Sequence, residues 1–311
     1  EVLKLETINL KKPSPEEVTI EHKAIGLNFI DTYHRSGLYP LELPSGIGAE
    51  GAGVIKEVGS KVKYFSVGDS VAYAGAPLGA YSTQRNYPIK NLVKVPNEIN
   101  LEIAATLMTK GLTTYYLLYK TYAVSSNETI LFHAAAGGVG QIAGQWGTHL
   151  GANMIGVAGG QDKCQLALKN GYAQCIDRKS ENIVTRVKAL TNGSGVSVVY
   201  DSVGKDSFEA SINSLKPMGM FVSFGTTTGE PPAIAPSRLQ KMGSLYITRP
   251  TLVDYMAVRG DMLNSANQVF DLLQKGVLSV TIGQRYGFDD IIQAHVELEA
   301  GATRGSSIIT F

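Results

Sequence analysis

Thiols and imidazoles are scarce in this chain: its 311 residues include two cysteines, Cys164 and Cys175, and five histidines. Two thiols cannot build a four-thiolate structural zinc site, form no C-x-x-C pair and give no disulfide framework. His22, His34, His133, His149 and His295 show no ligand spacing. Charge of one sign is lacking too. Basic side chains number 28 and acidic ones 27, a formal net charge of +1 that argues against the strongly basic face of a nucleic-acid binder. No run approaches the ~18 to 20 uninterrupted apolar residues of a membrane span, and the opening EVLKLETINL has no signal-peptide apolar region. A soluble, cytoplasmic protein is expected.

Glycine is what the chain has in excess, 34 of 311 residues without a G-X-Y period. That is about 11% against a usual ~7%, which implies tight turns and close backbone approaches. Nine of these glycines fall between Gly137 and Gly160 and six between Gly46 and Gly68, so the excess marks places. Apolar residues at 44% suffice for a core, and charged residues at 18% are too few for a disordered chain. At ~100 to 200 residues per domain the length implies two domains.

Up to about residue 111 the pattern is of short strands, clearest at Val18–His22, Gly53–Val58, Ser70–Ala74 and Leu92–Val95, as in a partly closed β-barrel or sandwich. Helical spacing follows over residues 101–122, interrupted by Gly111. Strand and helix then alternate. Apolar strands are expected at 129–133, 153–158, 174–176, 196–200, 220–224 and 245–248, the signature of a parallel sheet covered on both faces. A helix around Leu263–Lys275 and a final strand Ser306–Phe311, returning to the first domain, complete the reading.

The segment TILFHAAAGGVGQIAGQW, residues 129–146, carries the chemistry. A strand runs into a glycine-rich turn and then a helix, the context that a dinucleotide fingerprint requires, with Ala135, Gly137 and Gly140 in its three places. Gly137 would let backbone approach a pyrophosphate, Gly140 would let helix and strand pack closely, and the helix N-terminus would present N–H groups to negative charge. An NAD site places an acid at the end of the second strand, whereas this chain reads Gly159-Gly160-Gln161-Asp162-Lys163 there. Lys163 after a glycine pair, with Arg178 past the third strand as a second cation, points to NADP. The alternative reading has Lys163 as a solvated helix-face lysine and Asp162 as an N-cap or ribose partner.

AIGLNFIDTYHRSGLYP, LPSGIGAEGAGVI, FHAAAGGVGQIAGQW, VVYDSVG, FVSFG, SLYITRPTL and GATRGSSII occur in this order along nearly the whole chain. Together they resemble the zinc-free, zeta-crystallin-like NADPH:quinone oxidoreductases of the medium-chain dehydrogenase/reductase superfamily. The resemblance implies an α/β fold: a GroES-like β-barrel domain over residues 1–111 and 251–311, and a Rossmann doubly wound parallel sheet over 112–250. Family chains begin with about a dozen further residues, so an incomplete N-terminus is expected. Zinc-dependent relatives hold the metal with a Cys and a His where Asn28 and Ala49 stand, beside a retained Glu50. No metal is expected.

By the same resemblance Asn28, Phe29, Ile30, Asp31, Thr32 and Tyr33 line the nicotinamide side of an interdomain cleft, with Tyr116 near it. Gly138 and Val139 meet the pyrophosphate, and Gly159, Gly160, Gln161, Asp162 and Lys163 surround the adenosine phosphate. Phe224, Gly225, Thr226, Thr227, Pro250, Thr251 and Leu252 close the pocket. Departures from close bacterial relatives are Arg178, often Tyr there, Thr226, often Asn, and Arg304, where the relatives place an Arg nearer Gly301. Hydride transfer needs a near-attack arrangement rather than a nucleophile. Tyr33 and Tyr39 could stack on a quinone and hydrogen-bond its oxygen, while Asn28 orients cofactor or substrate through its amide. Ordinary packing and a turn-stabilising Asn28 are the bland counterparts.

The implied activity is NADPH-dependent quinone reduction by a homodimer paired through the Leu245–Thr248 edge strand. An alkenal or enone reductase is the alternative within enzymes. A crystallin-like structural or RNA-binding protein with a vestigial cofactor site is the alternative of another class.

Overall fold

The computed structural model describes residues 2–311; Glu1, with which the expected first domain begins, lies outside them. Two compact units share the chain. One runs to Leu112 and takes in Met256–Lys275 and Val280–Phe311; the other comprises Thr113–Tyr255 and Gly276–Ser279.

The first unit is built on β1 (Glu17–Leu27), β2 (Glu50–Val58), β3 (Ser70–Ala74), β4 (Gln84–Pro88) and β5 (Leu92–Lys94), joined by β12 (Ile282–Gly287) and β13 (Ser306–Thr310) from the far end of the sequence. Their order is β12-β13-β1-β2-β3-β5, and β4 also pairs with β1. Two register shifts, at Thr19/Ile20 and His22/Ala24, bend β1 so that one long strand serves several partners. Val18, Ile20, Ile25, Ile55, Val71, Tyr87 and Ile309 fill the interior. Strand β13 pairs antiparallel with β1, Ile25 opposite Ile309, which is the expected return of the chain end to the first domain. The helix Phe29–Ser36 packs against the helix Ile291–Glu299.

The second unit holds β6 (Thr129–His133), β7 (Asn153–Ala158), β8 (Gln174–Asp177), β9 (Val196–Asp201), β10 (Leu215–Ser223) and β11 (Tyr246–Thr248). All neighbours are parallel, in the order β11-β10-β9-β6-β7-β8. These are the six strands that the apolar runs predict, because helices bury both faces and leave few polar positions inside. Leu131, Ile155, Val157, Ile176, Val199 and Phe221 belong to one core. From β6 the chain passes outward to β7 and β8, then returns to β9 on the other side. That reversal makes the carboxyl ends of β6 and β9 the switch point where ligands bind in such sheets.

Strands β4 and β12 and the helices Phe29–Ser36, Ile183–Leu190, Phe208–Asn213, Pro236–Lys241 and Ile291–Glu299 add to the elements expected from sequence. The helical spacing over 101–122 resolves into Leu101–Ala104, Met108–Tyr115 and a π-helical turn Tyr116–Thr121.

Candidate cofactor and acceptor site

At the end of β6, Ala134 turns into the left-handed region at φ 52°, and the Gly137 N–H closes the turn on the Ala134 carbonyl at 2.8 Å. Gly137 caps the helix Gly138–His149 with extended backbone. A Cβ on Gly140 would stand 2.7 Å from Ala135 Cα, and one on Gly156 2.8 Å from Ala135 Cβ. Only glycine lets this helix and β7 close on the turn. Gly137 differs: an added Cβ would meet only the Ala134 carbonyl at 3.1 Å, so its other side is open. Tyr172 Oη donates to the Gly140 carbonyl at 2.7 Å and locks the first helical turn from behind. Its leading N–H groups have no intrahelical acceptor, which suits an anion.

Under the turn, His133 Nε2 lies 3.0 Å from Ser211 Oγ, which donates to Asp201 Oδ2 at 2.5 Å. Asp201 Oδ1 accepts the Val203 and Gly204 N–H groups at 2.7 and 3.1 Å. Burial holds the His133 imidazole below its ordinary range. This buried network ties the ends of β6 and β9 together.

At the end of β7, Gly160 has φ 106° and precedes the helix Gln161–Lys169. Its N–H donates to Asp177 Oδ1 at 2.8 Å, and Lys179 N–H donates to the same atom at 3.0 Å. Those two N–H groups hold the Asp177 carboxyl below the usual carboxylate range. The acid at the end of β8 is thus committed to backbone. A Cβ on Gly159 would stand 3.2 Å from an Arg178 guanidinium nitrogen, and one on Gly160 would stand 4.0 Å from Lys179 Nζ. Two cations thus approach the glycine pair, and Lys163 follows in the first turn of the helix. Lys179 was not singled out by sequence, although it adjoins Arg178.

The other expected pocket residues of this unit cluster at neighbouring strand ends. Phe224 N–H donates to the Asp201 carbonyl at 2.8 Å and its ring packs on Phe132, centroids 5.6 Å apart. A Cβ on Gly225 would stand 2.9 Å from the Ser202 carbonyl. Thr227 N–H donates to that carbonyl at 3.1 Å, and Thr226 is buried. Pro250, Thr251 and Leu252 follow β11, with Thr251 Oγ1 on Asp254 at 3.1 Å. Tyr116 stacks on Tyr255, 4.6 Å apart and 10° from parallel.

In the first unit Asn28 begins the helix Phe29–Ser36, and Asp31 Oδ2 accepts its N–H at 2.9 Å. The Asn28 amide is fully oriented. Oδ1 accepts from Lys110 Nζ at 2.8 Å, and Nδ2 donates to Glu50 Oε2 at 2.7 Å and to the Gly26 carbonyl at 3.3 Å. An ammonium can only donate and a carboxylate only accept, so the amide has one possible orientation. Both amide hydrogens are used inside the protein. The second lone pair of Oδ1 is what remains for the expected contact with substrate or cofactor. Tyr33 and Tyr39 meet edge to face at 5.3 Å, with Phe29 5.8 Å from Tyr33.

A catalytic zinc does not fit this cluster. Ala49 offers no donor, and the Lys110 ammonium, 3.6 Å from Glu50 Oε2, already supplies the positive charge beside Asn28. Among the described residues no group of three or more His, Cys, Asp or Glu could hold a metal ion. The glycine cradle and the three cations do fit NADPH.

Residues 14–97 match the alcohol dehydrogenase GroES-like domain family, and residues 138–275 match the zinc-binding dehydrogenase family. A quinone oxidoreductase of Pseudomonas aeruginosa is 47% identical over 99% of this chain and 95% of its own length. The crystal structure of Escherichia coli quinone oxidoreductase complexed with NADPH superposes with a TM-score of 0.96 at 46% identity, covering 98% of this chain and 95% of the other. A 2-haloacrylate reductase of Burkholderia is 39% identical over 98% of this chain and 93% of its own length.

Proposed function

We propose that this chain, which belongs to the quinone oxidoreductases of the zinc-binding dehydrogenase family, is an NADPH:quinone oxidoreductase that works without a metal. The observation that carries the reading is the end-to-end likeness to a quinone oxidoreductase solved with NADPH, 46% identical at a TM-score of 0.96. The glycine pair with Lys163, Arg178 and Lys179 supports the choice of cofactor.

When bound, NADPH supplies the hydride. Gly137, Gly138, Val139 and Gly140 receive its pyrophosphate at the helix N-terminus, and Gly159–Lys163 with Arg178 take the 2′-phosphate. Tyr116, Phe224–Thr227 and Pro250–Leu252 of the second unit pack about the nicotinamide; for the run Asn28–Tyr33 of the first unit the family resemblance implies a nicotinamide contact as well. Tyr33 and Tyr39 stack on the flat acceptor, and a phenol hydroxyl donates to the oxygen that gains charge. Asn28, pinned by Glu50 and Lys110, keeps its remaining Oδ1 lone pair in a fixed direction.

A second reading is reduction of an activated alkene, favoured by the 39% identity to a 2-haloacrylate reductase. Steady-state NADPH oxidation with 1,4-benzoquinone, a 2-alkenal and a 2-haloacrylate decides between them. Fastest turnover of benzoquinone is expected; fastest turnover of an alkene substrate sinks the first reading, and no turnover with any acceptor leaves a structural role. The β11 edge carries exposed Tyr246 and Ile247, which suits pairing with a second copy. Analytical ultracentrifugation should give a dimer. Among the described residues no helix is long and apolar enough to cross a membrane, and the cytoplasm is the compartment this reading implies.

A further inference from the structure

A second buried chain of polar groups leads away from Asn28. Asp31 is fully buried, and besides the Asn28 N–H its Oδ2 accepts the Tyr81 hydroxyl at 3.1 Å. Tyr81 Oη lies 3.0 Å from His295 Nε2, and His295 Nδ1 lies 3.1 Å from Arg35 Nη1. Arg35 also pairs with Glu299 at 2.7 Å. A guanidinium only donates, so Nδ1 accepts and the ring proton sits on Nε2. Nε2–H then donates to Tyr81, and Tyr81 donates to Asp31. Every proton of the chain points toward the carboxyl.

The other carboxyl oxygen, Asp31 Oδ1, is buried with no hydrogen-bond partner, and a buried orphan of this kind needs an explanation. A proton on Oδ1 would make it a donor without an acceptor inside the protein. At the outer end, His295 and Arg35 line a surface pocket of about 230 Å³ with Ile292 and Val296.

We propose that Asp31 is the buried acid that protonates the reduced acceptor, and that Tyr81 and His295 relay its replacement proton from the surface pocket. The inference rests on the reading of Asn28–Tyr33 as the segment beside the nicotinamide, where the acceptor takes up its hydride. The quinone gains a hydride and becomes a hydroquinone monoanion with an oxyanion to protonate. Asp31 gives that oxygen the Oδ1 proton and is left a carboxylate. His295 Nδ1 takes a proton from hydronium or a buffer acid, releasing its bond from Arg35, which stays with Glu299; the Nε2 proton then passes to Tyr81 and the Tyr81 proton to Asp31 Oδ2. A half-turn of the carboxyl returns that proton to the Oδ1 side, and exchange of the imidazole protons with water restores the Nε2–H tautomer. One proton enters for each hydride transferred.

Burial pushes the Asp31 carboxyl up to about 7; the Asn28 N–H and Tyr81 hydroxyl oppose this, Glu50 adds to it and Lys110 opposes it. Burial, helped by Arg35 and opposed by Glu299, pushes His295 down to about 4, so the ring is neutral at rest. An acid that titrates near 7 is matched to proton transfer at physiological pH.

The test uses Tyr81→Phe, which keeps the ring, and His295→Ala. Each should lower kcat for benzoquinone by ~10- to 100-fold, raise the solvent deuterium isotope effect on kcat and leave KM for NADPH within about twofold. Imidazole added to His295→Ala should restore much of the rate. Unchanged kcat and isotope effect in Tyr81→Phe, or a loss in His295→Ala that imidazole does not relieve, overturns the relay. Cofactor-free protein gives an independent readout: carbon-13 NMR should show Asp31 titrating near 7 and nitrogen-15 NMR the Nε2–H tautomer of His295. An Asp31 midpoint below 5 removes the acid whatever the kinetics. Wild-type protein that fails to oxidise NADPH with quinone defeats the functional reading instead, and the NMR result still decides the acid.

Discussion

Lys110 Nζ donates to Asn28 Oδ1 at 2.8 Å in a site where both side chains are buried. This bond sets the direction of the Asn28 amide, and the neighbouring Glu50 carboxylate balances the ammonium. Removing one member of a buried pair strands the other charge, which costs ~3 to 5 kcal/mol. Lys110→Met should therefore unfold at markedly lower denaturant concentration than wild type. The double change Lys110→Met with Glu50→Gln should recover most of that loss. Additive losses in urea titrations would show that the two groups are not coupled.

Gly140 and Gly137 stand three residues apart and should fail differently. An alanine Cβ at 140 would meet Ala135 Cα at 2.7 Å, backbone that cannot swing aside. Gly140→Ala should lose ~1 to 3 kcal/mol of stability as helix and strand are forced apart. At 137 the backbone is extended and the added Cβ meets only a carbonyl oxygen at 3.1 Å. Gly137→Ala should keep its melting temperature within a few degrees while its Kd for NADPH rises at least ~10-fold, because the methyl intrudes where the pyrophosphate approaches. Fluorescence titration beside thermal melts separates the two; parallel losses in both variants would refute the division of labour.

Arg178 and Lys179 approach Gly159–Gly160, Lys163 follows in the first turn of the next helix, and Asp177 is held by backbone N–H groups. A charge-assisted hydrogen bond is worth ~1.5 to 3 kcal/mol. Lys163→Ala and Arg178→Ala should each raise KM for NADPH by ~10-fold or more and leave KM for NADH nearly unchanged. Equal effects on both cofactors would rule out a 2′-phosphate site.

What sequence could reveal follows from distance along the chain. The fingerprint turn is legible because strand, glycines and helix are contiguous, and the six parallel strands because burial on both faces leaves unbroken apolar runs. Strand β4, QRNYP, buries only Arg85 and Tyr87, so it carries no apolar pattern. The Phe29–Ser36 helix did leave a signal: Asn28 and Asp31 at N-cap spacing, then Gly37 in the left-handed region at φ 78°. Lys110 is 82 residues from Asn28 and His295 is 214 from Tyr81, and no local pattern joins such pairs. The family resemblance places Asn28 where relatives hold a metal ligand, without revealing that the Lys110 ammonium lies beside it.

Asp31 makes a pH prediction whose sign opposes ordinary acid denaturation. Its carboxyl titrates near 3.8 when exposed and is pushed up to about 7 in the folded protein, chiefly by burial. A folded value above the unfolded one means that the contribution to stability is complete below pH ~4 and is lost as pH rises through 7. Asp31→Asn keeps an acceptor for the Asn28 N–H and the Tyr81 hydroxyl but has no charge to bury. The stability of Asp31→Asn relative to wild type should therefore climb between pH 4 and 7, by at most ~1.4 kcal/mol per pH unit, and level off above pH 8. His22 and His295, both pushed down to about 4 mainly by burial, act in the opposite sense. They destabilise both proteins together as pH falls from 6.5, so they cancel from the difference. Urea unfolding of the two proteins at pH 5, 6, 7 and 8 measures it directly. A difference that stays flat across this range would mean that Asp31 is already ionised at pH 5, and the buried acid would lose its thermodynamic basis.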